Sequence, residues 1–254
     1  MTPDFSELFH QSSKDHSKGH PPISPNPAEW PEEWKTTYYK TYTRLPKIAL
    51  SDHPPKADFF DVVRIRESRR DFTRGAIIKT QELSLLLKYS CGITNKLDEQ
   101  RFRRAQASGG ARFPIEVYPI VFRPSTNSGQ APGDDLKAGL YHYNVKDHAL
   151  DVLWEREFSD KDIGEIFTYP WVKDAAVGIV MTAIFWKNRN KYGERGYRYI
   201  LMEAGHIGQN MYLVSSALNL KCCALGGTRD ENVEKLLDID GVTESVVYAL
   251  AIGK

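Results

Sequence analysis

The sequence predicts an α+β fold in which most strands pair antiparallel, and three stretches carry that prediction. In "AGLYHYNVKDHALDVL" two strand-like runs flank residues 144–148, which supply a hairpin turn. After Gly193 the residues Ile200, Ala204, Ile207, Met211, Val214 and Leu218 step by 4, 3, 4, 3 and 4, the period of a long helix. The C-terminal "KCCALGGTRDENVEKLLDI" and "ESVVYALAIGK" read as a strand, a Gly-Gly turn, a helix capped by Thr228 or Asp230, and a final strand.

The remaining elements follow in chain order. Residues 11–34 are rich in Ser, Pro and His and poor in aliphatic side chains, so an arm without helix or strand is expected there. Trp30 and Trp34 at its end are candidates to pin it down. Residues 1–58 are therefore read as a partly irregular N-terminal arm and 59–254 as the folded domain. "FFDVVRIRESRRDF" suggests a short helix ending in a basic turn. "KTQELSLLLKYSCGI" suggests a second helix, capped by Thr80, with Leu83, Leu86 and Leu87 on one face. "FPIEVYPIVFR" reads as a strand, and so does "DAAVGIVMTAIFW", which is too short to cross a bilayer and runs at once into charge. On the long helix, Leu201, Gly205, Gly208, Tyr212 and Ser215 form a second stripe, which predicts burial on two sides. Each glycine there costs about 1 kcal/mol of helix propensity, and close approach by another backbone, even across a subunit interface, would compensate.

Composition narrows the partners. A net charge of +1 gives no global field for nucleic acid or anionic membrane, and Arg101, Arg103 and Arg104 form only a local basic cluster. Cys91, Cys222 and Cys223 make neither a CxxC nor an even framework, and the N-terminus lacks a signal-peptide pattern, so a reducing, cytoplasmic setting is expected. Glu203 and His206 have a metal-compatible spacing without a further ligand motif, so no metal is expected. His142 and His148 flank the hairpin and read as surface residues.

Four motifs carry chemistry. "RIRESRRDF" sets Arg66, Ser68 and Arg70 on a turn, where forked guanidinium donors match an oxyanion. "ASGGARFPIEVY" offers Ser108, Gly109, Gly110 and Arg112, small residues that expose backbone amides beside a charge. "CALGGTRD" places Gly226 and Gly227 on a strand-to-helix turn with unhindered N–H groups. "KYGERGYRY" sets Lys191 and Tyr192 side by side before the long helix, a pair that in isolation is ordinarily a solvated helix start.

Taken in order, these motifs together with "EAGHIGQNMYL" and "VVYALAIGK" resemble the FMN-dependent nitroreductase superfamily over residues 59–254. "SGGARFPIEVY" and "KYGERGYRYILMEAGHIGQNMYL" resemble its SagB-type branch, the dehydrogenases that oxidise thiazolines and oxazolines in modified peptides. The resemblance implies a nitroreductase-like fold, a mostly antiparallel sheet flanked by helices, in an intertwined homodimer with FMN at the interface. It implies that Arg66 and Ser68 meet the FMN phosphate and ribityl end and that Arg70 faces the N1 and C2 carbonyl edge. It further implies that Ser108, Gly109, Gly110 and Arg112 reach the flavin of the other subunit, and that Gly226 and Gly227 present N–H to flavin N5. Lys191 or Tyr192 would remove a proton from the azoline. Ala107-Ser108 stands where the family has Pro-Ser. The chain stops at Lys254 where many relatives carry further phosphate-binding cations, so Lys254 acts alone or Arg66 carries more of the load. The implied activity is dehydrogenation of an azoline-containing peptide or small heterocyclic substrate with reoxidation by oxygen, with a cyclodehydratase as a possible partner. The alternatives are an NAD(P)H-dependent nitro or quinone reductase and a flavin-holding scaffold subunit.

Overall fold

A computed structural model describes residues 5–14, 23–24, 26–98, 101–124 and 136–254. The described strands are β1 (Lys47–Ala49), β2 (Ile93–Lys96), β3 (Phe102–Arg104), β4 (Ile115–Val121), β5 (Gly139–Asn144), β6 (Ala149–Glu155), β7 (Val177–Ile184), β8 (Lys221–Leu225) and β9 (Glu244–Gly253). The described helices are α1 (Phe5–Ser12), α2 (Glu32–Lys35), α3 (Phe59–Ile65), α4 (Thr80–Cys91), α5 (Asp160–Ile166), α6 (Trp186–Tyr192), α7 (Arg195–Ala217) and α8 (Asp230–Leu237). Seven strands form one sheet in the order β1-β6-β5-β4-β7-β9-β8, with every neighbouring pair antiparallel.

Alternation along the central strands divides the interior in two. Ile115, Val117 and Val121 of β4 face one core with α4 and α7, while Tyr118 and Ile120 face another with α5 and α8. Cys91, Cys222 and Cys223 are buried free thiols. None of the described helices is long and apolar enough to cross a membrane.

The long helix is present, and its first stripe behaves as expected, with Ile200, Ala204, Ile207 and Met211 buried. Its second stripe divides. Gly208 lies so close to Tyr248 that an added Cβ would meet the ring at 2.5 Å, whereas Gly205 faces open space and Leu201 is 42% exposed.

Several local expectations are corrected. Residues 11–34 are not free of helix: α1 runs to Ser12, and Pro27–Glu29 makes a 3-10 turn before α2. The physical reason is a helix-start signal, with Asn26 Oδ1 accepting the Ala28 N–H at 3.1 Å and Pro27 already holding a helical φ. Residues 15–22 and 25 of that stretch lie outside the described residues. Lys79, not Thr80, is the N-cap of α4, because Glu82 reaches back to the Lys79 N–H at 2.8 Å. Arg229, rather than Thr228 or Asp230, occupies the N-cap of α8.

The histidines depart furthest from expectation. His148 is half-buried, with Nδ1 2.9 Å from the Tyr143 hydroxyl. His142 is fully buried between Asp151 Oδ2 at 3.1 Å and Glu116 Oε2 at 3.2 Å, and Lys187 Nζ reaches Glu116 Oε1 at 2.7 Å. The arm accounts for this, since Tyr42 lies edge-on to the His142 ring at 5.2 Å and covers the sheet. Burial disfavours the imidazolium, but Asp151 and Glu116 outweigh it and raise the His142 pKa from 6.5. A raised pKa contributes stability that is complete below the unfolded value and lost as pH rises through the folded one. The melting temperature should therefore decline on raising the pH from 6.5, and the decline should vanish in His142→Gln. Equal slopes for the two proteins in a pH series of thermal melts would contradict a buried imidazolium.

Candidate active site

Lys191 and Tyr192 are not the start of the long helix; they form the last turn of α6, ahead of it. One turn earlier Lys187 is anchored inward on Glu116, which fixes the helix to the sheet. Gly193, at φ 54°, then turns the chain into α7, a backbone state in which glycine meets no Cβ penalty. The Lys191 ammonium ends 3.4 Å from the centroid of the Trp30 ring and 5.3 Å from that of Trp34. Burial, and then the Arg112 charge, lower its pKa. Burial, and then Tyr199, raise that of Tyr192 against the pull of Arg112. The lysine is thus shifted toward its neutral form and the tyrosine holds its proton.

The Ser108 loop closes over this pair. Gly110, Ala111 and Phe113 all have positive φ, and the turn packs Gly110 against the Tyr192 hydroxyl so closely that a Cβ would collide with it. Gly109 lies against the ring of Tyr199, which meets Tyr192 edge-on at 5.0 Å. Ser108 Oγ accepts the Phe113 N–H at 2.9 Å, which supports a backbone that non-glycine residues rarely adopt. Arg112 is buried, and its guanidinium donates to the carbonyls of Lys187 at 2.8 Å and of Trp34 at 2.9 Å. Below the loop, Glu203 is buried and accepts from Gln106 Nε2 at 3.2 Å. Burial pushes its carboxyl up to about 7, against hydrogen bonds from Ser108 and Gln106. His206 Nδ1 lies 3.2 Å from the Ala107 carbonyl, and among the described residues no group of His, Cys, Asp or Glu could hold a metal.

A second cluster lies near the other end of α7. Arg66 ends α3 and sets its guanidinium 5.5 Å from the Tyr212 centroid; Ser68 Oγ is 2.9 Å from the same tyrosine's hydroxyl. That hydroxyl accepts the N–H of Ala224 at 2.7 Å, just ahead of Gly226 and Gly227. Among the described residues no carboxylate pairs with Arg66 or Arg70, whereas the neighbouring Arg64 and Arg69 are matched by Asp61 and Asp71. Two uncommitted cations and a hydroxyl suit an anion. Gly226 and Gly227 line a cavity of about 230 Å³ with Tyr248, and the Gly227 carbonyl is held by the Thr168 hydroxyl at 3.0 Å. Lys254 follows β9 with its ammonium 3.0 Å from Glu82 Oε1.

The chain thus brings Lys191, Tyr192, Ser108, Gly109, Gly110 and Arg112 together, and groups Arg66 and Ser68 separately with Tyr212. Motif reading passed over Tyr199 and Gln106, and it met Glu203 only as a metal-compatible spacing and Tyr212 only as part of a helix stripe. Tyr199 and Glu203 carried a signal, because their spacing of four puts them on one helix face directly behind the Lys-Tyr pair.

The Nitroreductase family matches residues 63–254. The chain is 30% identical to the trifolitoxin-processing protein TfxB of Rhizobium leguminosarum over 181 residues, which is 67% of this chain and 46% of TfxB. It is 33% identical to the microcin B17-processing protein McbC of Escherichia coli over 150 residues, 56% of this chain and 51% of McbC. It spans about half the length of both. The Escherichia coli microcin synthetase McbBCD complex, solved with truncated pro-MccB17 bound, matches with a TM-score of 0.59 at 21% identity, covering 98% of this chain and 91% of that one. A structure from Exiguobacterium sibiricum determined in complex with FMN matches at a TM-score of 0.52 and 12% identity, over 78% of this chain and 89% of that one. The family match spans most of the sequence, and with it the fold and both residue clusters: this chain belongs to the nitroreductase family.

Proposed function

We propose that this protein is an FMN-dependent dehydrogenase of the SagB type, which oxidises an azoline ring, in a modified peptide or a small heterocycle, to the azole. The observation that carries the reading is the buried Lys191 beside a half-buried Tyr192 that packs under the Ser108–Gly110 turn, in a chain similar to TfxB and McbC. Arg66, Ser68 and Arg70 hold the phosphate end and N1 edge of the flavin, and Gly226 and Gly227 offer N–H groups to its ring. Lys254 is drawn toward Glu82, so more of the phosphate charge falls to Arg66. FMN, when bound, supplies the two-electron acceptor, and oxygen takes the electrons on. The substrate gives up a hydride and a proton, and Lys191 accepts the proton, since its ammonium form is disfavoured while Tyr192 stays protonated to donate a hydrogen bond.

The active unit is a homodimer. Thirteen residues separate Tyr199 from Tyr212, roughly 20 Å along the helix, so one chain holds the two clusters apart. A second copy brings its Ser108 loop to the first copy's Arg66 cluster and covers Met202, 50% exposed on α7, and Phe60, 77% exposed on α3. A cyclodehydratase is the partner class that presents a peptide substrate.

The purified protein should be yellow and dimeric, and anaerobic NADPH should leave the flavin oxidised while an azoline-containing peptide bleaches it. Bleaching by NADPH alone indicates a nitro or quinone reductase, and a colourless monomer removes the reading altogether.

A further inference from the structure

We propose that Trp30 and Trp34, carried by the N-terminal arm, are positioning residues for Lys191: their rings box its side chain away from water and from any carboxylate. This rests on the reading of Lys191 as the proton acceptor. A lysine near a surface ordinarily extends its ammonium into water. Here the side chain turns inward, and among the described residues its nitrogen meets ring faces and no hydrogen-bond acceptor, with Trp30 at 3.4 Å, Trp34 at 5.3 Å and its neighbour Tyr192 at 5.6 Å.

The box is built rather than incidental. Trp30 Nε1 donates to the Ser24 carbonyl at 2.7 Å, and the two indoles meet edge to face with centroids 6.3 Å apart. Arg112, in the loop that covers Tyr192, holds the arm by the Trp34 carbonyl at 2.9 Å. The same guanidinium is the cation that acts on Lys191. Tyr38 and Glu33 of the arm act in turn on Arg112, and Tyr199 of α7 on Tyr192. A hydrocarbon side chain would fill this space without desolvating a charge, so packing alone does not call for lysine. Apolar walls and a neighbouring cation are the two means by which a protein makes a lysine a base near neutral pH. The ring faces attract the ammonium, while the burial they impose and the Arg112 charge act the other way.

The test is competitive trace acylation of the flavin-loaded protein by acetic anhydride across a pH series, read at each lysine by peptide mass spectrometry. Lys161, whose side chain is 86% exposed, is the internal standard. Lys191 should become reactive at lower pH than Lys161. Trp30→Ala and Trp34→Ala should move its midpoint up toward that of Lys161, and Trp30→Phe should return it part of the way. Trp30→Gln, which keeps a side-chain N–H donor for the Ser24 carbonyl, serves if the alanine variants melt early. A Lys191 midpoint equal in the tryptophan variants and the parent overturns the proposal. If the midpoint moves while the acidic limb of the kcat profile stays in place, the box stands and the proton-acceptor role of Lys191 falls.

Discussion

Lys191→Ala and Tyr192→Phe should each lower kcat by about 10²–10⁴-fold on an azoline substrate while the protein stays folded, dimeric and yellow. The magnitude is that of a positioned acid or base, and the structure says why the loss should fall on kcat rather than on folding. Tyr192→Phe keeps the ring that meets Tyr199 and removes only the hydroxyl that lies against Gly110. Lys191→Ala gives up contact with Trp30 but also removes a charge held out of water, so the two changes in stability oppose one another. Steady-state kinetics beside flavin content and a thermal melt decide the matter. Turnover within a few-fold of the parent would show that the proton goes elsewhere, and loss of flavin would make the pair structural.

The largest effect on stability is expected at Glu116. Glu116→Leu should cost about 3–5 kcal/mol, because it leaves the Lys187 ammonium and the His142 ring in the interior without their shared partner. For a protein of this size that corresponds to a fall in Tm of about 10 °C. Burial works against the Glu116 carboxylate, but Lys187 and His142 hold it ionised, with a pKa of about 2. The pair is therefore fully formed at neutral pH. Adding Lys187→Met to Glu116→Leu should recover much of the loss, since an apolar pair of similar volume needs no desolvation. A Tm change of under about 2 °C in the single variant would mean that water reaches the pair. Lys187 stands one turn before Lys191, so the single variant should also lose activity through misplacement of α6.

The fold was legible where a period was long enough to count. The stepping pattern of α7 and the alternation around residues 144–148 need only the chain itself, and both elements are present. β1 and the β2–β3 pair have three or four residues each, too few for a period to emerge. His142 read as a surface residue because the layer that covers it is the arm, and no local pattern places Tyr42 over a strand a hundred positions on. At the site, the motif supplied Lys191 and Tyr192 but not their surroundings. Trp30 and Arg112 reach Lys191 from distant parts of the chain, and only the folded sheet brings them there.

The arm's attachments set its length. Arg112 grips the carbonyls of Trp34 and Thr36, Lys40 Nζ meets Glu244 Oε2 at 2.6 Å, the Tyr42 N–H meets Asp151, and Lys47 to Ala49 then pair with β6. Four moorings within sixteen residues leave no slack, so one added residue between Thr36 and Lys47 puts the tryptophans and the edge strand out of step. Glu244 is also shared with Tyr118 and Thr182 inside the sheet. A chain cut after Lys40 therefore strands that carboxylate beside two hydroxyls with no cation, and a shortened version made for convenience would not be the same protein. Over this stretch, natural variants should keep the spacing, along with Trp34 and Lys40, and change the other side chains more freely.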